Sequence, residues 1–437
     1  MLVIKLLIST SLLLLMLPIT SAYTAEQNSE PLPEPLTLEL ALNLIDRQHP
    51  DLRVANVDLQ FSNSNLQQAL SANDLSISLK ASARWIEPSA LASNQSNEDH
   101  RSSLFVNKTL YDFGRSSSQI DAASQNVLSQ NLQYLNARQR QHLTVMKRYF
   151  DVVLADLLFY RYNEEMAVSY IRFDRTQIRA KLGQFTEVDV AKKEMEYQRI
   201  RRLRTQSENQ QRVTRSLLAQ SLNKPNNLPT TVTKPDIKAI SRKLPDIDKL
   251  QEIVKNNNPT LRALRAKLLA AKNNVKFAHA SDNPTLTGGF EAFGYTRETG
   301  SSDKWRAQVT LDVPLWTGNK TDAAVAKAKS EVYKIEAQLS QQEFLVQQQV
   351  LELALGLTTL KVKYDEVLSG MNFSELELDK NRALYELEVQ ADLGYSMVKF
   401  SSAEREVVQT GFNIALAWAQ LDALSGTLLN EMNKVSQ

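Results

Sequence analysis

The chain has 437 residues, a formal net charge of +2 and a mean hydropathy of −0.33. Its 51 Lys and Arg residues nearly balance its 49 Asp and Glu residues, so we expect no nucleic-acid partner. The absence of cysteine excludes disulfides and a lipid-modified cysteine. Glycine is scarce, with 12 residues, and this composition is typical of long solvated helices.

The amino terminus predicts a secretory signal peptide over residues 1–22. Lys5 precedes a mainly apolar run from Leu6 to Leu17, and small residues follow it. This run is too short to span a bilayer comfortably. We therefore expect cleavage after Ala22, or alternatively after Ala25, and a retained membrane anchor is the competing interpretation.

The rest of the chain is a tandem of two similar halves. Each half has a short helix leading to a proline, Pro50 or Pro259, then a further helix, two candidate strands and an aromatic-glycine corner. The corners end at Gly114 and Gly318. We predict a first repeat over residues 23–222, a proline-rich connector over 223–248, a second repeat over 249–429 and a tail over 430–437.

Each corner is followed by a helix of unusual length. From residue 114 to about 179, and again from 318, apolar residues recur in steps of three and four. About 65 residues at 1.5 Å each would give a helix of roughly 100 Å. The chain then turns back near residues 181–186 and 388–394, so each half predicts a long antiparallel helical hairpin with coiled-coil packing.

Strict alternation of apolar and polar residues predicts strands over 76–85 and 305–313. Their partners, near 103–111 and 284–296, alternate less cleanly, and a soluble two-stranded ribbon is the alternative. The positions of Trp85 and Trp305, which would both lie at the same outer interface, favour strands with one face toward lipid and one toward water. The predicted lumen residues are Lys80, Arg84, Arg306, Gln308 and Asp312. Trp85 and Trp305 are predicted to form an aromatic girdle at the outer interface.

A single copy of the chain is too small to close a membrane barrel. It supplies about four strands, whereas the smallest transmembrane barrels have about eight. The sequence therefore predicts more than one copy in the functional assembly.

The two-repeat pattern resembles the TolC family of outer-membrane efflux and secretion channels. The most specific segments are residues 313–318 at the second corner and residues 183–190 at the first helical turn. The resemblance implies a mainly α fold with a β-barrel portion, built as a homotrimer with 12 strands in the outer membrane and a helical tunnel across the periplasm. It also implies an equatorial corner at Gly114, Pro314 and Gly318. A periplasmic adapter and an inner-membrane transporter, of the RND or ABC type, would be its partners.

The same resemblance predicts a latch at the periplasmic tip. Asp189 and Tyr385 correspond to the tip aspartate and tyrosine of the family, and Gln390 and Asp392 complete the predicted latch. Gln390 stands where an arginine is common. Gly394 and Met397 occupy positions where some members carry aspartates. The sequence therefore does not decide whether the entrance carries an anionic ring.

No pattern in the chain predicts an enzyme, a metal site or a cofactor. The four histidines lack ligand spacing, and no nucleotide-binding or catalytic motif is present. The sequence predicts a passive outer-membrane duct that extends into the periplasm. The alternative is a soluble periplasmic coiled-coil adapter or scaffold. Drug efflux, type I protein secretion and metal export are not distinguished.

Overall fold

The computed structural model describes residues 31–297, 303–387 and 392–429. The predicted signal peptide, the predicted tail and Gln390 lie outside these residues. The helices are α1 (Leu38–Asn43), α2 (Pro50–Ser71), α3 (Arg115–Lys181), α4 (Glu187–Ser221), α5 (Ile247–Asn257), α6 (Pro259–His279), α7 (Lys320–Glu386) and α8 (Leu393–Leu424). The strands are β1 (Ser76–Ser82), β2 (Arg101–Tyr111), β3 (Thr285–Tyr295) and β4 (Trp305–Asp312). None of the helices in the described part of the chain combines the length and hydrophobicity of a transmembrane helix.

The two halves repeat the same succession of elements. In each half a proline occupies the first position of the second helix, α2 or α6. The residue before it caps the helix: His49 Nδ1 accepts from the amide of Asp51, and Asn258 Oδ1 accepts from the amides of Thr260 and Leu261. Proline lacks an N–H and has a fixed φ, so it suits this position.

Helices α3 and α7 are 67 residues each, which corresponds to a length of about 100 Å. No proline interrupts either of them, and α3 also contains no glycine. Helix α3 runs antiparallel to α4, and α7 runs antiparallel to α8. Each half is therefore a long helical hairpin.

Helix α3 joins the two hairpins because it also packs against α6 and α8. The rings of Phe150 on α3 and Phe412 on α8 are stacked, with centroids 4.1 Å apart. On the α6 side, Ser129 Oγ donates to the carbonyl of Ala263 at 2.9 Å. A buried apolar cluster around Tyr149, Phe150 and Leu218 lies at this junction.

The first helix is shorter than the sequence predicts. The pattern favours one helix from Leu38 to His49, but α1 ends at Asn43. Beyond it, Asp46 Oδ1 accepts from the amide of Gln48 at 2.8 Å, and Asp46 Oδ2 accepts from Asn223 Nδ2 at 2.6 Å. These side-chain bonds stabilise a turn in place of further helical bonds.

Tyr149 ties the amino-terminal segment to the connector. Its buried hydroxyl lies 2.9 Å from the carbonyl oxygen of Leu36 and 2.6 Å from that of Thr233. Leu36 and Val232 form a parallel bridge beside it. Burial raises the pKa of Tyr149 to about 12, and the bond to Thr233 opposes this rise.

The four strands form one antiparallel sheet in the order β1, β2, β3, β4. The predicted strand over residues 76–85 ends earlier, at Ser82. The amide of Arg84 donates to His100 Nδ1 at 3.3 Å, and Trp85 forms only an isolated bridge with Glu98. Each of β1 and β4 pairs on one side only, and both are exposed along their whole length.

Replacing Tyr149 with Phe should lower the free energy of unfolding by about 1–2 kcal/mol, because the carbonyls of Thr233 and the buried Leu36 lose the hydroxyl that binds them. Urea unfolding followed by circular dichroism measures this loss. The wild type should also lose stability as the pH rises from 10 toward about 12, where the unfolded chain ionises first, and the variant should lack this component. Tyr160→Phe, at a side chain that is 62% exposed on the same helix, is the control. Equal losses in both variants would contradict this role.

Candidate functional site

The sheet has one apolar and one polar face. Ile77, Val106, Phe290 and Ala307 form a row across the four strands. The row beside it on this face is Leu79, Leu104, Ala292 and Trp305. Because side chains alternate along a strand, the residues between these rows lie on the other face, which is mainly polar. Leu79 is 73% exposed, so large apolar side chains face outward without cover from the chain itself.

Four of the five predicted lumen residues share the polar face. By register these are Lys80 on β1 and Arg306, Gln308 and Asp312 on β4. Arg84 does not belong to this set, because it lies beyond the end of β1. Its guanidinium forms an ion pair with Asp99, whose side chain is 7% exposed. Arg84 therefore stabilises the loop between β1 and β2, and the other four remain predicted lumen residues.

The two predicted girdle tryptophans are not neighbours across the sheet. Trp305 lies in the same row as Leu79. Trp85 lies six residues beyond Leu79, which is about 20 Å at the rise of a strand. Trp85 packs edge-on against the ring of His100, with centroids 5.1 Å apart. Trp305 stacks on Phe290. A shared girdle stays a prediction that depends on the tilt of the strands.

The corners below the sheet use glycine at left-handed positions. Gly114 has φ of 93° and Gly318 has φ of 66°, values that residues with a Cβ rarely adopt. Pro314 lies between β4 and the second of these glycines. Asn283 Nδ2, between α6 and β3, donates to the carbonyl of Phe113 at 2.9 Å. This bond links the first corner to the start of the strand pair in the second repeat.

At the first helical turn, Asp189 acts within its own helix. Its carboxylate accepts from the amide and hydroxyl of Thr186, at 3.0 and 2.7 Å, and its amide donates back to the Thr186 hydroxyl. This is a capping box, which stabilises the start of α4. The bonds from Thr186 lower the pKa of the exposed Asp189 carboxyl. Tyr385, at the end of α7, has a side chain that is 65% exposed.

At the second turn, Asp392 joins two helices. It caps α8 by accepting from the amide of Tyr395 at 3.1 Å. Both of its oxygens also accept from Arg172 Nη2 on α3, at 2.6 and 2.5 Å. No sequence pattern singles out Arg172, because it is one of several charged residues on a long helix and its partner is 220 residues away.

Gly394 explains why α8 can approach α3 here. A Cβ at this position would lie 2.7 Å from Cγ2 of Val168, so a larger residue would push the helices apart. Further from the tip, polar contacts continue the connection between helices. They are Asn381–Ser396 at 2.6 Å, Lys399–Glu377 at 3.0 Å and Ser401–Glu164 at 2.5 Å.

The described residues hold no group of three or more His, Asp or Glu side chains that could bind a metal ion. What the chain does present is an amphipathic sheet with open edges at one end and a set of polar contacts between helices at the other.

Solved structures with the same fold include the outer-membrane channels CmeC and MtrE and the outer-membrane protein VceC. CmeC of Campylobacter jejuni superposes with a TM-score of 0.74 at 13% identity, over 91% of this chain and 88% of that one. MtrE of Neisseria gonorrhoeae, in its open state, gives a TM-score of 0.70 at 18% identity, over 90% and 89%. VceC of Vibrio cholerae gives 0.66 at 14% identity, over 90% and 95%. The chain therefore has the fold of these outer-membrane proteins over most of its length.

Residues 250–364 match the outer membrane efflux protein family. No curated protein matches the chain in sequence. The family match and the shared fold together confirm the resemblance to the TolC family that the sequence predicts. This is a family of channels rather than of enzymes.

Replacing Asp392 with Ala should speed amide exchange in the first turn of α8 by about fivefold, because a lost helix cap costs about 1 kcal/mol. Hydrogen exchange with mass spectrometry measures this change. Asp392→Asn keeps a capping side chain and should change the exchange less. Asp379→Ala, which removes an exposed ion pair within α7, is the control. An unchanged rate in Asp392→Ala would show that this residue does not hold the start of α8.

Proposed function

We propose that the protein is the outer-membrane exit duct of a tripartite efflux pump or type I secretion system, and that it works as a homotrimer. The observation that supports this proposal is that the two edge strands of the sheet each lack a partner on their outer side. β1 and β4 are exposed on both faces and pair on one side only. An edge of unpaired backbone groups cannot face lipid, so it must pair with another copy.

Three copies would close the sheet. The β4 strand of one copy would pair with β1 of the next, which gives twelve strands from three sheets of four. The apolar face would then contact outer-membrane lipid, and the polar face with Lys80, Arg306, Gln308 and Asp312 would line the lumen. The predicted signal peptide supports export to this location.

The helices would continue the duct into the periplasm. Helices α3 and α7 are each about 100 Å long, which suits a tunnel across a compartment better than a compact domain. Aliphatic side chains along α7 that lack cover in one copy, such as Leu355 and Val362, would be buried between copies. A duct of this kind needs no chemistry of its own, because a partner supplies the energy.

The periplasmic tip is the place where a gate would act. The Arg172–Asp392 ion pair holds the start of α8 against α3, and Asp189 and Tyr385 lie at the neighbouring helix ends. In this proposal the pair keeps the tip closed, and a periplasmic adapter with an RND or ABC transporter opens it. Asp189, Tyr385 and Gln390 remain predicted parts of the latch.

Engineered cysteines test the closed barrel, because the natural chain has none. Pairs that combine Ser76→Cys or Ser78→Cys on β1 with Gln308→Cys or Thr310→Cys on β4 should form disulfides between copies after oxidation in membranes. Trimers and dimers on denaturing gels would report them. Asn107→Cys on β2 with Thr310→Cys should not crosslink, because β3 separates these strands within a copy and β1 would separate them between copies.

Membrane fractionation separates this proposal from a soluble adapter. The duct fractionates with the outer membrane, whereas an adapter or scaffold without a membrane segment stays in the periplasmic fraction. Recovery in the periplasmic fraction, with no crosslink from any of the cysteine pairs, would overturn the duct.

Reversing the charge of Arg172 to Glu should raise the single-channel conductance in planar bilayers, because it replaces an attraction with a repulsion at the tip. The double variant with Asp392→Arg should restore much of the low conductance. Arg175→Glu, an exposed residue one turn away on the same helix, should leave conductance unchanged. If the two Arg variants behaved alike, the specific role of the ion pair would be disproved.

A further inference from the structure

Aromatic side chains lie on the polar face of the sheet, where contact with lipid cannot explain them. By the strand register, the side chains of Phe105 on β2 and of Phe293 and Tyr295 on β3 lie on the polar face. The rings of Phe105 and Phe293 meet edge-on with centroids 6.4 Å apart, and those of Phe293 and Tyr295 stack at 5.9 Å. These rings form one continuous surface beside the buried Ser103.

Two arginines lie over this aromatic surface. The guanidinium carbon of Arg101 is 5.1 Å from the ring centroid of Tyr295, and that of Arg306 is 5.9 Å from the centroid of Phe293. An arginine stacked on a ring keeps its charge and still presents N–H donors around its edge. We call Arg101, Phe105, Phe293, Tyr295 and Arg306 the arginine–aromatic belt.

The belt lies in a part of the polar face that carries excess positive charge. The basic residues there are Lys80, Arg101, Lys304 and Arg306. The acidic ones are Glu291, opposite Arg306, and Asp303, which accepts from Arg306 at 2.9 Å. This leaves an excess of two positive charges in each copy. Asp312 is at the other end of β4, about 20 Å along the strand from Arg306.

We propose that the belt makes the outer part of the lumen select anions and bind aromatic carboxylates as they pass, an inference that rests on the proposed duct. In a trimer the excess charge triples and faces a narrow aqueous space, which favours anions over cations. A carboxylate would accept hydrogen bonds from the guanidinium groups. An attached aromatic ring would stack on Phe293 or Tyr295.

The first test measures the reversal potential of single channels in planar bilayers under a potassium chloride gradient. The wild type should prefer chloride, and the double variant Arg101→Gln/Arg306→Gln should lower the chloride-to-potassium permeability ratio by roughly threefold or more. Lys108→Gln is the matched control. It removes one positive charge from β2 on the opposite face, because Lys108 pairs with Gly288 in the apolar register. It should leave the ratio unchanged.

The second test compares benzoate with acetate at equal ionic strength. Benzoate should reduce the wild-type current more than acetate does, because only benzoate has a ring to stack. The double variant Phe293→Leu/Tyr295→Leu should remove this difference and keep the chloride preference. A trimer band on unheated denaturing gels confirms that each variant assembles.

The outcomes separate the two proposals. A wild type that forms channels but prefers potassium, or an arginine variant with an unchanged ratio, would overturn the anion selection. Equal effects of benzoate and acetate on the wild type would overturn the aromatic part. A wild type that forms no channel at all would instead overturn the duct itself.

Discussion

The structure depends on one constraint: the backbone groups along the free edges of β1 and β4 need partners. A soluble protein can leave such an edge to water, but a sheet with an exposed apolar face such as this one belongs in lipid, where unpaired N–H and C=O groups are costly. In the proposed duct, pairing with identical copies would satisfy both edges at once. The need for an oligomer would follow from this, and burial between copies would also cover the exposed side chains on the long helices.

The same constraint gives the two ends of the molecule different tasks. In the proposed duct, hydrogen bonds between strands would hold the copies in a fixed arrangement at the sheet, and the outer end would act through the side chains that face the lumen. At the tip, the helices are held by separate polar contacts, which include the Arg172–Asp392 ion pair. Exposed contacts of this kind are individually weak and can be replaced by contacts to a partner. A stable outer end and a tip that can be opened suit a duct whose energy comes from elsewhere.

Local patterns in the sequence were sufficient to predict the two repeats, the long helices and the apolar and polar faces of the strands. The helices are encoded by long runs without proline, and the faces by strict alternation, as in residues 76–82. Contacts between distant residues were not predictable in this way. Arg172 contacts Asp392 only when the two hairpins pack together. Arg84 lies outside the strand, where its guanidinium binds Asp99 and its amide donates to His100. The short α1 likewise reflects Asp46, which bonds to Asn223 at the start of the connector.

The stoichiometry of the mature protein tests the central claim most directly. Native mass spectrometry of protein extracted from the outer membrane in mild detergent counts the chains in each particle. Three chains in each particle, with no folded single chain, is the result that this account predicts. A folded monomer that stays in solution without detergent would contradict it, because such a chain would have no need to pair β1 and β4 with another copy.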